Sequence, residues 1–178
     1  MTAFVALLRA VNVGGTGKLP MAELKRIAED LGFANPRTFI ASGNLLFTSD
    51  DSEAEVRKAL EKRLAEHMGK PVAVMVRSAA EMAAVATANP FGDAPGKRVL
   101  VTFLPEPPPK GALDQAKGHD GERLALGSRE IYVDYCGTLL GRSKLRIPAA
   151  AEGTGRNMNS VAKLARMAME MALAMEKA

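Results

Sequence analysis

The sequence predicts an α+β fold: a ferredoxin-like βαββαβ plait followed by a second, incomplete plait-like α/β part with a long C-terminal helix. Three observations indicate this. Apolar runs typical of strands alternate with runs of helical spacing over the first 76 residues. A glycine turn joins two short apolar runs as a hairpin, and a strand-helix-strand-strand-helix pattern follows after residue 76. We therefore predict two subdomains, residues 1–76 and residues 77–178.

A glycine loop joins the first predicted strand to the first helix. Residues 4–11 form a near-continuous apolar run, which is typical of a strand covered on both faces. After the loop at 14–17, Pro20 suits a first helical turn. Apolar residues then follow at helical spacing over 21–31, and Gly32 ends the helix.

A hairpin and a second helix continue the first plait. Strands at 38–41 and 45–48 flank Ser42-Gly43-Asn44, a tight turn that by itself requires no function. Ser52 and Glu55 have the spacing of a capping box at the start of the helix. The elements predicted after that helix are, in chain order, a strand at 72–76, a helix capped by Ser78 and Glu81, a strand at 98–104, a stiff proline segment at 105–109, a short helix at 112–117, a hairpin of 122–126 with 130–135, a loop at 141–155 and a final helix from about Asn157.

Composition is that of an ordinary soluble protein. The 178 residues are 47% hydrophobic and 25% charged, with net charge +4, which permits a polyanionic partner. Aromatic residues make up 4% and tryptophan is absent, which weighs against base stacking. No apolar run is long enough to span a bilayer, and the chain start lacks the basic region of a secretory signal. We therefore predict a cytoplasmic protein with no membrane partner.

Cysteine and histidine usage argues against a metal. Cys136 is the single cysteine, in a strand-like run where we expect it to be half-buried, and the histidines are His67 and His119. A closed zinc site needs more ligands than these. We predict no metal site and no cofactor.

The first polar cluster runs from Arg9 to Lys18. It fails the Walker A template, because Asn12 stands where the first glycine belongs and Leu19 follows Lys18 where Ser or Thr is required. Two interpretations stay open: a loop that holds an anion loosely, and a flexible turn with a solvated lysine. Arg9 also has two interpretations, because it either points onto an open sheet face or pairs with an acid from the second part.

The other polar clusters lie in the second part of the chain. Residues 142–146 carry three cations in five positions, Ser143 and Lys144 among the five, a pattern typical of a solvated surface. The glycine-broken segment 153–160 opens the longest helical pattern, and a helix start exposes N–H groups that attract anions. Arg156, Asn157 and Asn159 would add donors there.

Several of these segments together resemble the DUF1697 family, a family of proteins of unknown function. The resemblance rests on the segment Leu7 to Gly15, the segment Lys18 to Leu24 and Ala41-Ser42-Gly43-Asn44. It continues in Asn89-Pro90-Phe91, in Ser143-Lys144-Leu145, and in Arg156-Asn157 with Asn159. It implies a bacterial protein built from two small ferredoxin-like parts, and it supplies no activity. The chain departs from the family's late signature at Gly155, Met158 and Ser160, where that signature usually has threonine, tryptophan and threonine.

Three functional hypotheses follow. The first is a binding module for a phosphate- or carboxylate-bearing ligand, such as a small anion, a nucleotide or a nucleic-acid backbone. The second is an enzyme acting on a small phosphorylated or acylated compound, with catalytic residues unknown. The third is a protein-interaction module that uses the Met-rich C-terminal helix, and the oligomeric state stays open. The residues predicted to bind a ligand are Arg9, Asn12, Lys18, Ser42, Asn44, Ser143, Lys144, Arg156, Asn157 and Asn159.

Overall fold

The computed structural model describes residues 1–15, 17–137 and 140–178. The chain forms two compact units. Unit 1 contains residues 1–83 and 164–178, and unit 2 contains residues 84–163. The predicted subdomain boundary after residue 76 falls inside unit 1, and the last helix is divided between the units.

The described residues form both strands and helices, with antiparallel sheets, which confirms the predicted α+β class. The strands are β1 (Thr2–Leu8), β2 (Ala34–Thr38), β3 (Asn44–Ser49), β4 (Val74–Ser78), β5 (Val99–Phe103), β6 (Arg123–Leu126), β7 (Glu130–Asp134) and β8 (Thr154–Asn157). The helices are α1 (Met21–Asp30), α2 (Glu53–Met68), α3 (Ala79–Thr87) and α4 (Met158–Glu176).

Unit 1 contains the predicted ferredoxin-like plait. Its sheet has the order β2-β3-β1-β4, and neighbouring strands run antiparallel. The capping box of α2 is present, since Ser52 N donates to Glu55 Oε2 at 2.8 Å and Glu55 N donates to Ser52 Oγ at 3.2 Å. Gly69 closes α2 in the left-handed conformation, with φ +70°. The local signals in the sequence therefore set these boundaries.

Both faces of the unit 1 sheet are buried. On one face, side chains of β1, β3 and β4 pack with those of α1 and α2, and the rings of Phe33 and Phe47 stack at 4.3 Å. On the other face, Val5 and Leu46 are also fully buried. The hypothesis that Arg9 points onto an open sheet face is therefore wrong. Arg9 lies beyond the end of β1 and is exposed.

Side chains bind backbone groups along the edge strand β4. Glu61 Oε1 accepts from Val74 N at 3.1 Å, and Glu81 Oε2 accepts from Ser78 N at 2.8 Å. The buried guanidinium of Arg77 donates to the Val76 carbonyl oxygen at 2.9 Å. Backbone groups of Val74, Val76 and Ser78, at alternate positions along this edge, are thus each hydrogen-bonded to a side chain.

Unit 2 has the sheet of a second plait without its two long crossover helices. The strand order β6-β7-β5-β8 repeats the order of unit 1 when strands are counted within each unit. A 3₁₀ turn at Ala112–Gln115 stands between β5 and β6, and 3₁₀ turns at Leu140–Arg142 and Pro148–Ala150 stand between β7 and β8. The predicted incomplete plait is therefore confirmed, with short turns in place of helices.

Three sequence predictions differ from the structure. Residues 154–157, where the sequence predicts the end of a loop and the start of the final helix, form β8, which pairs with β5 in a register that sets Arg156 opposite Val101. Residues 38–41 are not the second strand, because β2 ends at Thr38 and Ile40 has φ +52°. Cys136 is not half-buried in a strand, since it is exposed beyond β7 with φ +50°. Glycines in and beside β8 and a proline in β2 interrupt the apolar pattern by which a strand is recognised in a sequence.

Truncating the stacked ring tests this description of the unit 1 core. Phe47 is fully buried, and its ring also lies 5.8 Å from that of Phe4. We expect Phe47→Ala to lower the free energy of unfolding by about 3–5 kcal/mol because it leaves a cavity. Urea denaturation measures this, with the exposed Val13→Ala as the control that stays within about 0.5 kcal/mol. A loss below about 1 kcal/mol for Phe47→Ala would contradict the packing.

Candidate functional site

Two loops of unit 1 meet at one end of its sheet with unusual backbone geometry. The first is the β1–α1 loop, residues 9–20, and the second is the β2–β3 turn, residues 39–43. Left-handed backbone occurs at Ala10, Asn12 and Ile40, with φ between +52° and +56°. Such values are uncommon outside glycine, and Ile40 is β-branched, for which they are a clear outlier. Strain of this kind concentrates at functional sites.

The side chain of Asn12 fastens the two loops together. Its Nδ2 donates to the carbonyl oxygens of Leu19 and Ala41, both at 2.8 Å, and its Oδ1 accepts from Leu19 N at 2.7 Å. Both amide hydrogens are used by these bonds. Asn12 therefore holds the two loops in position. A ligand in this region would contact the residues next to Asn12 and not its amide group.

Asn44 and Ser42 have an equally local role. Asn44 is fully buried, and its Nδ2 donates to the Phe39 carbonyl oxygen at 2.9 Å and to Ser42 Oγ at 3.0 Å. Gly43 has φ +88°, and a Cβ there would lie 2.5 Å from Val11 Cγ2. The turn therefore requires glycine and is held in one conformation by Asn44.

A cleft of about 520 Å³ lies beside these loops. Its lining includes Lys18, which is exposed, together with Pro20 and Met21, the N-cap and the first residue of α1. Pro20 is the N-cap of α1 and makes no side-chain capping bond. The helix start therefore brings the positive end of its dipole to the cleft without a side-chain acceptor from its own N-cap. This arrangement can attract an anion.

The predicted residues at the start of α4 are used within unit 2. Arg156 is 7% exposed and donates from one guanidinium nitrogen to Thr154 Oγ1 at 2.7 Å and to the Gly155 carbonyl oxygen at 2.9 Å. Burial lowers the pKa of Arg156 to about 10, so the side chain stays charged at neutral pH. Asn157 Oδ1 accepts from Ser160 N at 2.9 Å and thereby caps α4, while Asn159 is exposed.

Ser143 is hydrogen-bonded to a buried acid. Its Oγ donates to Glu122 Oε1 at 2.7 Å and accepts from Leu145 N at 3.2 Å. The hydrogen bond from Asp120 N, followed by that from Ser143, lowers the pKa of Glu122. A carboxylate with a lowered pKa is a weak base, so it does little to activate the serine. Lys144 is exposed beside this pair.

The predicted residues fall into separate groups. Arg9, Asn12, Lys18, Ser42 and Asn44 converge on the two loops of unit 1. Ser143 and Lys144 lie against the segment at 117–122 of unit 2, and the residues 156–159 lie at the end of β8 and the start of α4. Lys18 with the start of α1 gives the arrangement best suited to an anion.

Unit 2 contains an ion cluster around a buried aspartate that the sequence pattern does not predict. Asp134 is fully buried and accepts from Arg98 Nε at 2.7 Å and from Arg123 at 2.6 Å and 2.8 Å. Arg123 also binds Asp93 at 3.0 Å and lies 4.7 Å from the ring centre of Phe91. The predicted hairpin sets position 123 opposite 133, one residue away from Asp134, its observed partner on β7, so the sequence indicates this pairing only approximately.

Hydrogen bonds decide the charge of Asp134. Burial alone would raise its pKa, but hydrogen bonds from Arg98, from Cys136 N and from Arg123 hold the pKa well below its usual range. The Cys136 thiol also donates to Asp134 Oδ2 at 3.2 Å. Asp134 is therefore ionised, and its hydrogen bonds join the ends of β5, β6 and β7.

The two plait sheets, with a loop cleft at the end of the first, define an α+β protein of duplicated ferredoxin-like topology. The sequence model of the DUF1697 family, described as protein of unknown function, matches residues 1–132. The chain belongs to the DUF1697 family. The matched range includes both loops of the unit 1 cleft and ends before residues 143–159.

Among solved structures, the chain is similar to the conserved bacterial protein SP0830 from Streptococcus pneumoniae. The two are 26% identical with a TM-score of 0.74, and the similarity covers 94% of this chain and 98% of that chain. No curated protein matches the sequence. In the part of the chain that the structure describes, no helix combines the length and apolar character needed to cross a membrane.

Replacing Asn12 separates its hydrogen bonds from its backbone conformation. Asn12→Gly keeps left-handed backbone accessible but removes the three bonds, and we expect a loss of about 1–2 kcal/mol in unfolding free energy. Asn12→Ala adds the penalty of left-handed backbone, about 1 kcal/mol more. Urea denaturation gives the order, and amide exchange at Leu19 should become faster in both variants. Equal stability of Asn12→Gly and the native protein would contradict the fastening role.

The ion cluster predicts an acid-dependent contribution to stability. We expect Asp134→Asn to lower the unfolding free energy by about 2 kcal/mol at pH 7, because two partly exposed arginines lose their charged acceptor. The native pKa is depressed, so this contribution is present above about pH 4, the unfolded value, and is lost as pH falls below it. Urea denaturation between about pH 7 and pH 3 should show the two proteins converging.

The control for this measurement is Asp50→Asn. Asp50 pairs with the N-terminal amine at 3.1 Å, but its side chain is 79% exposed. An exposed pair contributes little, so the change should stay within about 0.5 kcal/mol. A constant difference between Asp134→Asn and the native protein down to about pH 3 would refute an ionised cluster.

Proposed function

We propose that the protein is a cytoplasmic binding module for a ligand that carries a phosphate or carboxylate group. The proposed site is the unit 1 cleft formed by the β1–α1 loop, the β2–β3 turn and the start of α1. The single observation that carries the proposal is the meeting of Lys18 and the start of α1 at this cleft, where the N-cap Pro20 has no side-chain acceptor. The lone exposed thiol of Cys136 is compatible with a reducing compartment.

The chemistry of the cleft favours an anion over a neutral ligand. Lys18 supplies a mobile ammonium group with three donors, and the first turn of α1 supplies backbone N–H groups together with the helix dipole. Gly14 and Gly15 carry no side chain that would keep a ligand away from the loop backbone, and a Cβ at either would meet open space. Asn12 holds Leu19 and Ala41 in place on both sides. The site would therefore be largely formed before the ligand arrives.

The ligand class includes a small phosphorylated compound, a nucleotide or a nucleic-acid backbone, because each presents the same oxyanion. The net charge of +4 permits a polyanion, while the 4% aromatic content gives little support to base stacking. A contact through phosphate alone would position such a ligand without reading a base sequence.

Binding is better supported than the alternatives. Ser143 donates its hydroxyl hydrogen to Glu122, whose pKa is lowered, so this pair gives the enzyme hypothesis no support. The protein-interaction hypothesis uses the C-terminal helix, and three residues at helical spacing on α4, Val161, Leu164 and Ala168, are fully buried. That burial fits a core-facing stripe.

A lysine substitution tests the proposed cleft. We expect Lys18→Ala to weaken binding of inorganic phosphate or of a mononucleotide by about tenfold, since a charge-assisted hydrogen bond is lost. Isothermal titration calorimetry measures this, and a thermal-shift series gives an independent readout because binding to the folded state raises its stability. The matched control is Lys25→Ala, an exposed lysine on α1 itself. Equal weakening by both variants, or no binding of either probe at millimolar concentration, would overturn the proposal.

A further inference from the structure

Two exposed aliphatic side chains project from the loops of unit 1. Val13 is 59% exposed and Ile40 is 49% exposed. Their chain neighbours are joined by the hydrogen bond of 2.8 Å from Asn12 Nδ2 to the Ala41 carbonyl oxygen. The two loops are therefore held side by side, and we call Val13 and Ile40 together the apolar tip. Single exposed apolar residues are ordinary, but a pair on two fastened loops is a defined surface.

The backbone holds the apolar tip outward at a steric penalty. Ile40 has φ +52°, a conformation that β-branched residues avoid, and it is nonetheless exposed to solvent. A turn without a role at this position would more readily carry glycine or asparagine there. Strain that keeps an apolar side chain in water is typical of a site with a function.

Basic residues lie in the loop that carries Val13 and beside it. Lys18 and Lys70 are exposed, and Lys70 Nζ lies 3.6 Å from the position a Cβ would occupy on Gly17. Arg9 is also exposed, and its backbone N–H donates to the Ala73 carbonyl oxygen at 3.0 Å, beside the segment that carries Lys70. The nearby helix acids have their own partners, since Glu23 pairs with Arg26 and Glu61 pairs with Arg57.

We propose that the apolar tip, together with Lys18 and Lys70 beside it, docks on an anionic phospholipid surface. Val13 and Ile40 would enter the boundary between headgroups and acyl chains, and Lys18 and Lys70 would lie against lipid phosphates. This goes beyond the proposed anion cleft, because it uses Val13 and Ile40, which do not line that cleft. The expectation of no membrane partner rested on the lack of a spanning segment, a criterion that does not address a peripheral contact.

Other macromolecules fit this surface less well. A stable protein partner buries about 800 Å² on each side, usually with aromatic anchors, and two loop tips are too small for that. A nucleic acid would meet the cations, but its bases stack on aromatic rings, and the exposed apolar side chains here are aliphatic. Branched aliphatic side chains beside cations are suited to a lipid interface.

Vesicle sedimentation with paired variants tests the proposal. The probes are vesicles of phosphatidylcholine alone and vesicles with about 30% phosphatidylglycerol, at physiological salt. We expect binding only to the second kind, a reduction of at least about tenfold for Val13→Ser with Ile40→Ser, and about twenty-fivefold for Lys18→Ala with Lys70→Ala. The matched controls are Met169→Ser with Leu173→Ser, an exposed apolar pair on α4, and Lys58→Ala with Lys62→Ala on α2.

The outcomes separate this proposal from the anion cleft. Loss of vesicle binding in the loop variants but not in the controls supports it, provided that circular dichroism shows all variants folded. Absence of binding to phosphatidylglycerol vesicles, or equal loss in loop and control variants, overturns it while leaving phosphate binding by calorimetry as the separate test of the cleft. Preferential binding to an oligonucleotide that survives Val13→Ser with Ile40→Ser also overturns it and identifies nucleic acid as the partner.

Discussion

The hydrogen bonds of Asn12 are the interaction on which the loop end of unit 1 depends. One amide group bonds to backbone atoms of Leu19 and Ala41, which are 7 and 29 residues away in sequence. Through these bonds, the strand that leaves the core, the helix that follows it and the hairpin turn are fixed relative to one another. A side chain with one acceptor and two donors is required for this, and asparagine also tolerates the left-handed backbone found there. The shape of the cleft and the placement of the exposed loop residues therefore depend on the hydrogen bonds of Asn12.

The two sheets show that strand order is independent of the crossover helices. Unit 1 crosses between parallel strands through full helices, whereas unit 2 makes equivalent crossings with 3₁₀ turns and extended chain. In unit 2 the outer apolar face is covered by side chains of these short segments, such as Leu113, Leu145 and Ile147, which pack on Ile131 and Val133. The segment that connects two strands therefore needs only to cover the apolar face of the sheet, and a long helix is one way to do so.

Local signals predicted unit 1 well and unit 2 less completely. The capping box at Ser52 and the glycine at position 69 carry their own geometry, so the helix ends could be read from sequence. β8 could not be predicted from sequence, because Gly153 and Gly155 interrupt its apolar pattern. Glycine is required there by the side chains of the neighbouring strand β5. A Cβ at Gly155 would lie 3.1 Å from Leu100 Cδ1, and at Gly153 it would lie 2.6 Å from Thr102 Cγ2. The candidate ligand residues were chosen as polar groups near glycine, but sequence does not distinguish Asn12 and Asn44, whose donors serve the backbone, from Lys18, which faces solvent.

The side chains along β4 have a consequence for the addition of a further strand at this edge of the sheet. An edge strand with bare N–H and C=O groups is a template on which another chain can add a strand. On β4, Glu61, Arg77 and Glu81 already occupy hydrogen-bonding positions that an incoming strand would need. An added strand could bond to these three backbone atoms only after displacing two carboxylates and a buried guanidinium. The remaining edge, β2, contains Pro36 and an irregular register, so both borders of this sheet resist the growth of intermolecular β-structure.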